Sequence, residues 1–197
     1  DVDMIIHSVF KEPNGDNKFD NKTAELMASK GVYGNPTLHV FRSQIWEMQK
    51  SMVDKPENKE DVLALDSAKK EFDRRVDDLN KLIGFGAKVI TGSDSSWGDY
   101  QLGNTVYEVE CLELAGLSRS QSLKSVTRDS AISIGVDQSV GTLEKGKLAD
   151  LIAVKEDPMK DIKTLQDVKF VLFDGNIGGE NENKNVTDRD LGFLMAG

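Results

Sequence analysis

Three short apolar segments, each separated from the next by helical sequence, constrain this chain more than any other feature. They are Met4-Ile5-Ile6-His7-Ser8-Val9-Phe10, Val32-Tyr33-Gly34-Asn35-Pro36-Thr37 and Ala87-Lys88-Val89-Ile90-Thr91. Near-continuous apolar runs of this length suit strands buried on both faces, as in a parallel sheet. Between the first two, Asp20 can cap a helix over Asn21–Lys30 that Gly31 stops. Between the second and third, Leu38–Ile83 is mostly helical, with a polar break near Asp54-Lys55-Pro56-Glu57. Phe72, Val76, Leu79 and Ile83 recur at helical spacing there, with Ser67 as the expected cap and Gly84 and Gly86 at the end. Strand alternating with helix gives an α/β class with parallel strands. Three such strands cannot close a barrel of eight, and the arithmetic favours a fragment of a larger α/β fold.

Beyond the third strand the pattern predicts helices over Leu102–Ala115, ended by Gly116, and Ser118–Ile134, opened by a Ser118/Gln121 capping box. The sequence then changes to short strands at Ala149–Val154 and Lys169–Phe173, with turn chemistry at Asp174-Gly175-Asn176. The expected division is 1–135 for alternating strands and helices, 136–180 for a segment of short strands, and 181–197 for a polar, asparagine-rich tail. That tail carries a late apolar patch at Leu191–Met195.

A net charge of −9 opposes attraction to phosphate backbones or anionic lipid, so neither nucleic acid nor membrane is an expected partner. The single cysteine, Cys111, allows neither an internal disulfide nor a cysteine-rich zinc site. A buried thiol fits the cytoplasm, and any export signal would lie upstream of Asp1. The opening Asp1-Val2-Asp3-Met4 has no basic region and no initiator at its start, and reads as a chain entered in mid-stream.

Two residues stand where α/β folds gather chemistry, at the C-terminal ends of parallel strands. His7 ends the first strand and Asp94 follows the third. Neutral imidazole and carboxylate are both good ligands for a divalent metal. From the residues alone, a structural histidine and a turn or helix-cap aspartate are the commoner readings.

The order of Ile6-His7, Gly31–Leu38 with its Asn35-Pro36-Thr37, and Val89-Ile90-Thr91-Gly92-Ser93-Asp94 resembles the amidohydrolase superfamily, in its imidazolonepropionase and prolidase-like branch. The run Gly141-Thr142-Leu143-Glu144-Lys145-Gly146-Lys147-Leu148-Ala149-Asp150-Leu151-Ile152-Ala153-Val154, with Asp157-Pro158 and Phe173-Asp174-Gly175-Asn176 after it, is similar to that family's C-terminal signature. The resemblance implies the C-terminal part of a (β/α)8 TIM barrel over 1–135 and part of a small β-sandwich over 136–180. It also implies a metal-dependent hydrolase of amide, peptide-like or cyclic amide C–N bonds, with one or two divalent metals, zinc foremost. It makes His7 the sixth-strand metal ligand. It makes Asp94 both a ligand and the catalytic base that takes a proton from the attacking water. The implied partners are a small-molecule amide or dipeptide substrate and the missing N-terminal half of the barrel.

The departures are as informative. The family's first-strand His-x-His, fourth-strand lysine and fifth-strand histidine have no counterpart among two histidines, neither of which precedes His7. Ile6 stands where Glu is common, and Ser93 where Thr is common. The chain alone is therefore expected to be inactive, and an open parallel edge would favour homo-oligomers. A catalytically inert, partner-binding piece with the same fold is the competing reading. Three further residues can reach a substrate: Tyr33, read mainly as core; His39, read mainly as a solvent-facing residue at a helix start; and Trp97, which either walls the pocket or packs its loop.

Overall fold

The computed structural model describes residues 2–53, 58–94 and 105–178. The chain divides into two compact units, Asp1–Ser122 and Leu123–Gly197.

In the first unit, strands β1 (Met4–Ile6), β2 (Tyr33–Asn35) and β3 (Lys88–Val89) form one sheet in the order β1-β2-β3. Both pairings are parallel, with Met4, Tyr33 and Lys88 in one register row, Ile5, Gly34 and Val89 in the next, and Ile6 beside Asn35. The strands are shorter than the apolar runs. The first ends at Ile6 because His7 and Ser8 adopt positive φ, 67° and 39°, which breaks the pleat.

Helix α1 (Asn21–Lys30) has the bounds and caps its sequence predicts. The Asp20 carboxylate accepts from Thr23 N at 3.0 Å, and Gly31 at φ 68° closes the end. Its buried Ala24 and Met27 face the core. Helices α2 (Leu38–Met52) and α3 (Lys59–Gly84) pack against each other. The expected cap at Ser67 is corrected: α3 is capped nine residues earlier, where Asn58 accepts from Glu60 N at 3.0 Å and Glu60 and Asp61 favour the helix dipole. The break at 54–57 lies outside the described residues. A Cβ on Gly34 would sit 3.3 Å from Leu82 Cδ2, so glycine in the central strand lets α3 approach the sheet. Phe10, Met27, Val32, Leu38, Leu79, Leu82, Val89, Cys111 and Leu112 form the unit's core. Cys111 is buried as expected, and burial pushes its thiol up beyond the ordinary range.

Helix α4 (Val106–Leu114) follows, and Gly116 at φ 105° ends that segment. Where one helix was expected over Ser118–Ile134 there are two, α5 (Arg119–Val126) and α6 (Arg128–Ser133). The Ser118/Gln121 box is present, with Ser118 N donating to Gln121 Oε1 at 2.9 Å. The break falls at Thr127, whose backbone leaves helical angles while its hydroxyl donates to Leu123 O at 2.8 Å.

The second unit carries an antiparallel sheet in the order β4 (Leu151–Val154), β5 (Val168–Phe173), β6 (Asn176–Gly178). The third strand was not foreseen; Asp174 and Gly175, at φ 49° and 74°, make the two-residue turn that creates it. The Asp150 carboxylate accepts from Asp174 N at 2.7 Å and steadies that turn. The tail and its patch at Leu191–Met195 lie outside the described residues.

Candidate active site

The parallel register carries His7 and Asp94 to the same end of the first sheet. His7 follows β1 directly, and Asp94 lies five residues past Val89 at the end of β3. These are the outer strands, two spacings apart, or about 10 Å. Both residues are exposed, and both have left-handed backbones, at φ 67° and 48°. Between them, Thr37 past the end of β2 is at φ 49°. Non-glycine residues are held in this region only where surroundings impose it, and such strain gathers at functional edges.

His7 Nδ1 and Thr37 Oγ1 share a hydrogen bond of 2.8 Å. With Nδ1 occupied, the second ring nitrogen is the one suited to a ligand, the arrangement usual for metal-binding imidazole. On the central strand, Asn35 Oδ1 is buried with no partner among the described residues. A Cβ on Gly92 would lie 2.0 Å from that same atom, so only glycine lets the segment leading to Asp94 lie against Asn35. An imidazole fixed through one nitrogen and a carboxylate at the same edge fit a divalent cation as far as two donors can. Among the described residues, no three His, Cys, Asp or Glu side chains converge as a metal cluster.

The other expected contacts fare differently. Tyr33 opens β2 in the row of Met4 and Lys88, at the edge opposite His7, and its ring lies under Lys88 Nζ at 5.0 Å. That placement takes it away from the strand ends. His39 is not solvent-facing; it is 1% exposed. Its ring packs against Tyr107 and Trp46 at 4.8 and 5.2 Å, and Arg42 Nε donates to its Nδ1 at 3.1 Å. Burial first, and the Arg42 charge second, lower its pKa to about 3, so it is a neutral packing element. The error came from reading a polar residue at a helix start as a surface one. Trp97 lies outside the described residues.

One group went unforeseen. Glu108 of α4 is fully buried, and its two oxygens accept from Leu38 N at 2.9 Å and His39 N at 2.6 Å. Burial raises its pKa to about 7, against the opposing pull of those two backbone donors. The available signal was its place among Val109, Cys111 and Leu112, where a helix buried nearly all round leaves no solvated position for a carboxylate.

Residues 10–178 match the sequence profile of the amidohydrolase family. Ochratoxinase of Aspergillus niger is 29% identical over 154 residues, which are 77% of this chain and 30% of that enzyme. A crystal structure of a Xaa-Pro dipeptidase with bound methionine in the active site superposes with a TM-score of 0.69 and 28% identity, covering 90% of this chain and 40% of the dipeptidase. The crystal structure of A. niger ochratoxinase gives 0.65 at 23% identity, over 89% of this chain and 36% of that one. The chain thus spans about a third of the length of the curated relatives it matches. With a family profile covering most of its length and a mixed α/β sheet shared with solved hydrolases, this chain belongs to the amidohydrolase family.

Proposed function

We propose that this chain forms the last three strands of a (β/α)8 barrel and contributes His7 and Asp94 to a metal-dependent hydrolase of amide or peptide C–N bonds. The observation that supports this most is the strand edge itself. Parallel pairing aligns His7, Thr37 and Asp94 at one end, each with a left-handed backbone and the first two hydrogen-bonded. Similarity to a Xaa-Pro dipeptidase and to ochratoxinase favours a small amide or dipeptide as the substrate.

In this reading His7 and Asp94 hold a divalent cation, zinc in first place, together with ligands from the rest of the barrel. When bound, such a cation acidifies the attacking water and polarises the scissile carbonyl. Asp94 accepts the water's proton as the oxygen attacks the carbonyl carbon, then delivers it to the nitrogen as the C–N bond breaks. Thr37 fixes the His7 ring, and Asn35 with Gly92 sets the path of the chain into Asp94. Two candidate ligands fall short of the three protein ligands usual for catalytic zinc, so the chain by itself is expected to turn nothing over. The chain separated from the rest of the barrel is expected to self-associate through its open parallel edge, and a cytoplasmic setting is favoured.

The test is an assay of the full-length gene product with zinc against dipeptides and N-acyl amino acids. Turnover that disappears in Asp94→Asn, with unchanged circular dichroism, is expected. Turnover that survives this change would remove Asp94 from the chemistry.

A further inference from the structure

Helix α2 starts without help from its own cap. Thr37 holds the N-cap position, where a threonine hydroxyl normally accepts from a backbone N–H one turn in. Here it makes no such bond; its hydroxyl is on His7 Nδ1 instead, at 2.8 Å. The first turn it leaves uncapped is deeply buried, with Leu38 and His39 each 1% exposed, so water cannot serve as the substitute. Glu108 reaches across from α4 to take that role, one oxygen on Leu38 N and the other on His39 N. Burying a carboxylate is a costly way to cap a helix when a hydroxyl already stands at the cap. The arrangement makes sense if that hydroxyl is needed elsewhere.

The surroundings of Glu108 are built to keep it there. Arg42, whose positive charge favours the ionised carboxylate, is itself fixed by Glu110 at 3.1 Å and by the carbonyl of Tyr107. It is also stacked over Trp46 and Tyr107 at 4.8 and 5.4 Å.

We propose that Glu108 is a positioning residue for His7. By capping α2 in place of Thr37, it keeps the Thr37 hydroxyl on Nδ1 and so orients the imidazole for ligation through its other nitrogen. This rests on the reading of His7 as a metal ligand. Glu108 touches neither substrate nor metal, and acts through Thr37 alone.

The full-length gene product, titrated with zinc against a competing chelator, gives the first readout. His7→Ala sets the scale of losing the ligand. Glu108→Gln, which must set an amide N–H₂ against a backbone donor, and Thr37→Val are each expected to weaken zinc binding about tenfold or more. Their combination is expected to be no weaker than the worse single change, because both act through one hydroxyl–imidazole bond. Thr37→Ser, which keeps the hydroxyl, is expected to keep the affinity, as is Glu113→Gln, which removes the 2.8 Å pair with Arg119 elsewhere on α4.

The second readout needs no metal. In zinc-free protein, the His7 ring-nitrogen NMR signals are expected to lose their hydrogen-bonded signature in Glu108→Gln as they do in Thr37→Val. Should Glu108→Gln not fold, Glu108→Asp shortens the reach while keeping both oxygens, and the same two readouts apply to it. A Glu108 variant with wild-type zinc affinity and an unchanged His7 spectrum would reduce Glu108 to a helix cap and overturn the proposal. Unchanged zinc affinity in His7→Ala would overturn the metal reading instead, and the zinc-free spectrum would still report what Glu108 does to His7.

Discussion

The two sheets of this molecule use the same backbone signature for different ends. In the antiparallel sheet, Asp174 at φ 49° is followed by Gly175 at φ 74°, and the pair is what a tight hairpin between β5 and β6 requires. Local topology accounts for it completely. In the parallel sheet, His7, Thr37 and Asp94 have similar angles, yet no tight hairpin joins these strands. Their strain coincides with an imidazole–hydroxyl bond, an amide oxygen buried with no partner among the described residues, and a glycine without room for a Cβ. The faces differ too. Ile152, Val171 and Phe173 share one face of the antiparallel sheet at 40%, 40% and 73% exposure, an apolar and solvent-facing set. Left-handed residues point to chemistry only where no turn explains them.

Substitutions can break this contrast, and the largest effect belongs at the parallel edge. Asp94→Asn in the full-length gene product is expected to lower kcat by about 10²–10⁴-fold, the range for loss of a general base. Steady-state kinetics beside an unchanged circular dichroism spectrum checks it. Next comes the packing that holds this edge. Leu82→Ala, at a fully buried position where α3 meets β2, is expected to cost about 2–5 kcal/mol in urea denaturation. Gly92→Ala drives a methyl into Asn35 and is expected to cost about 1–3 kcal/mol, with loss of activity beyond that seen for surface changes. Phe173→Thr, on the exposed face of the other sheet, is expected to stay within about 0.5 kcal/mol and leave turnover intact. Equal sensitivity of Phe173 and Gly92 would erase the distinction between the sheets.

A finer effect sharpens the same comparison through pH. His39, lowered to about 3, is neutral when folded but protonates in the unfolded chain below its usual 6.5. Its contribution to stability is complete above about 6.5 and is lost as pH falls towards 3. Glu108, raised from 4.5 to about 7, has the opposite sign: its contribution is complete below 4.5 and is lost as pH rises through about 7. The two slopes oppose one another between 4.5 and 6.5. Urea midpoints across this range are expected to rise more steeply with pH in Glu108→Gln and to lose their acid-side fall in His39→Gln. Profiles unchanged by either substitution would mean that neither group is buried as described.

What the sequence made legible follows from how local each cause is. Asp20 and Gly31 delimit α1 because a cap and a left-handed stop act within a few residues. The parallel character of the first sheet and the place of His7 and Asp94 past the ends of two of its strands followed from alternation and short apolar runs. Ser67 misled because helix entry was decided by Asn58 and an acidic first turn, a stronger start than a serine within a charged helix. His39 was out of reach, and Glu108 was signalled only by its apolar helical neighbours, for a different reason. Their burial depends on α2 and α4 meeting, some 70 residues apart in sequence, and no spacing rule encodes that encounter. The family signature at Gly141–Val154 was legible in full, yet it marks the second unit and not the strand edge.

The central claim is that His7 and Asp94 share one cation at that edge. Crystals of the full-length gene product grown with zinc, with anomalous data collected across the zinc edge, test it most directly. An anomalous peak is expected about 2 Å from both an imidazole nitrogen of His7 and a carboxylate oxygen of Asp94. A peak that contacts neither residue, or His7 and Asp94 lying at opposite ends of the sheet, would contradict it.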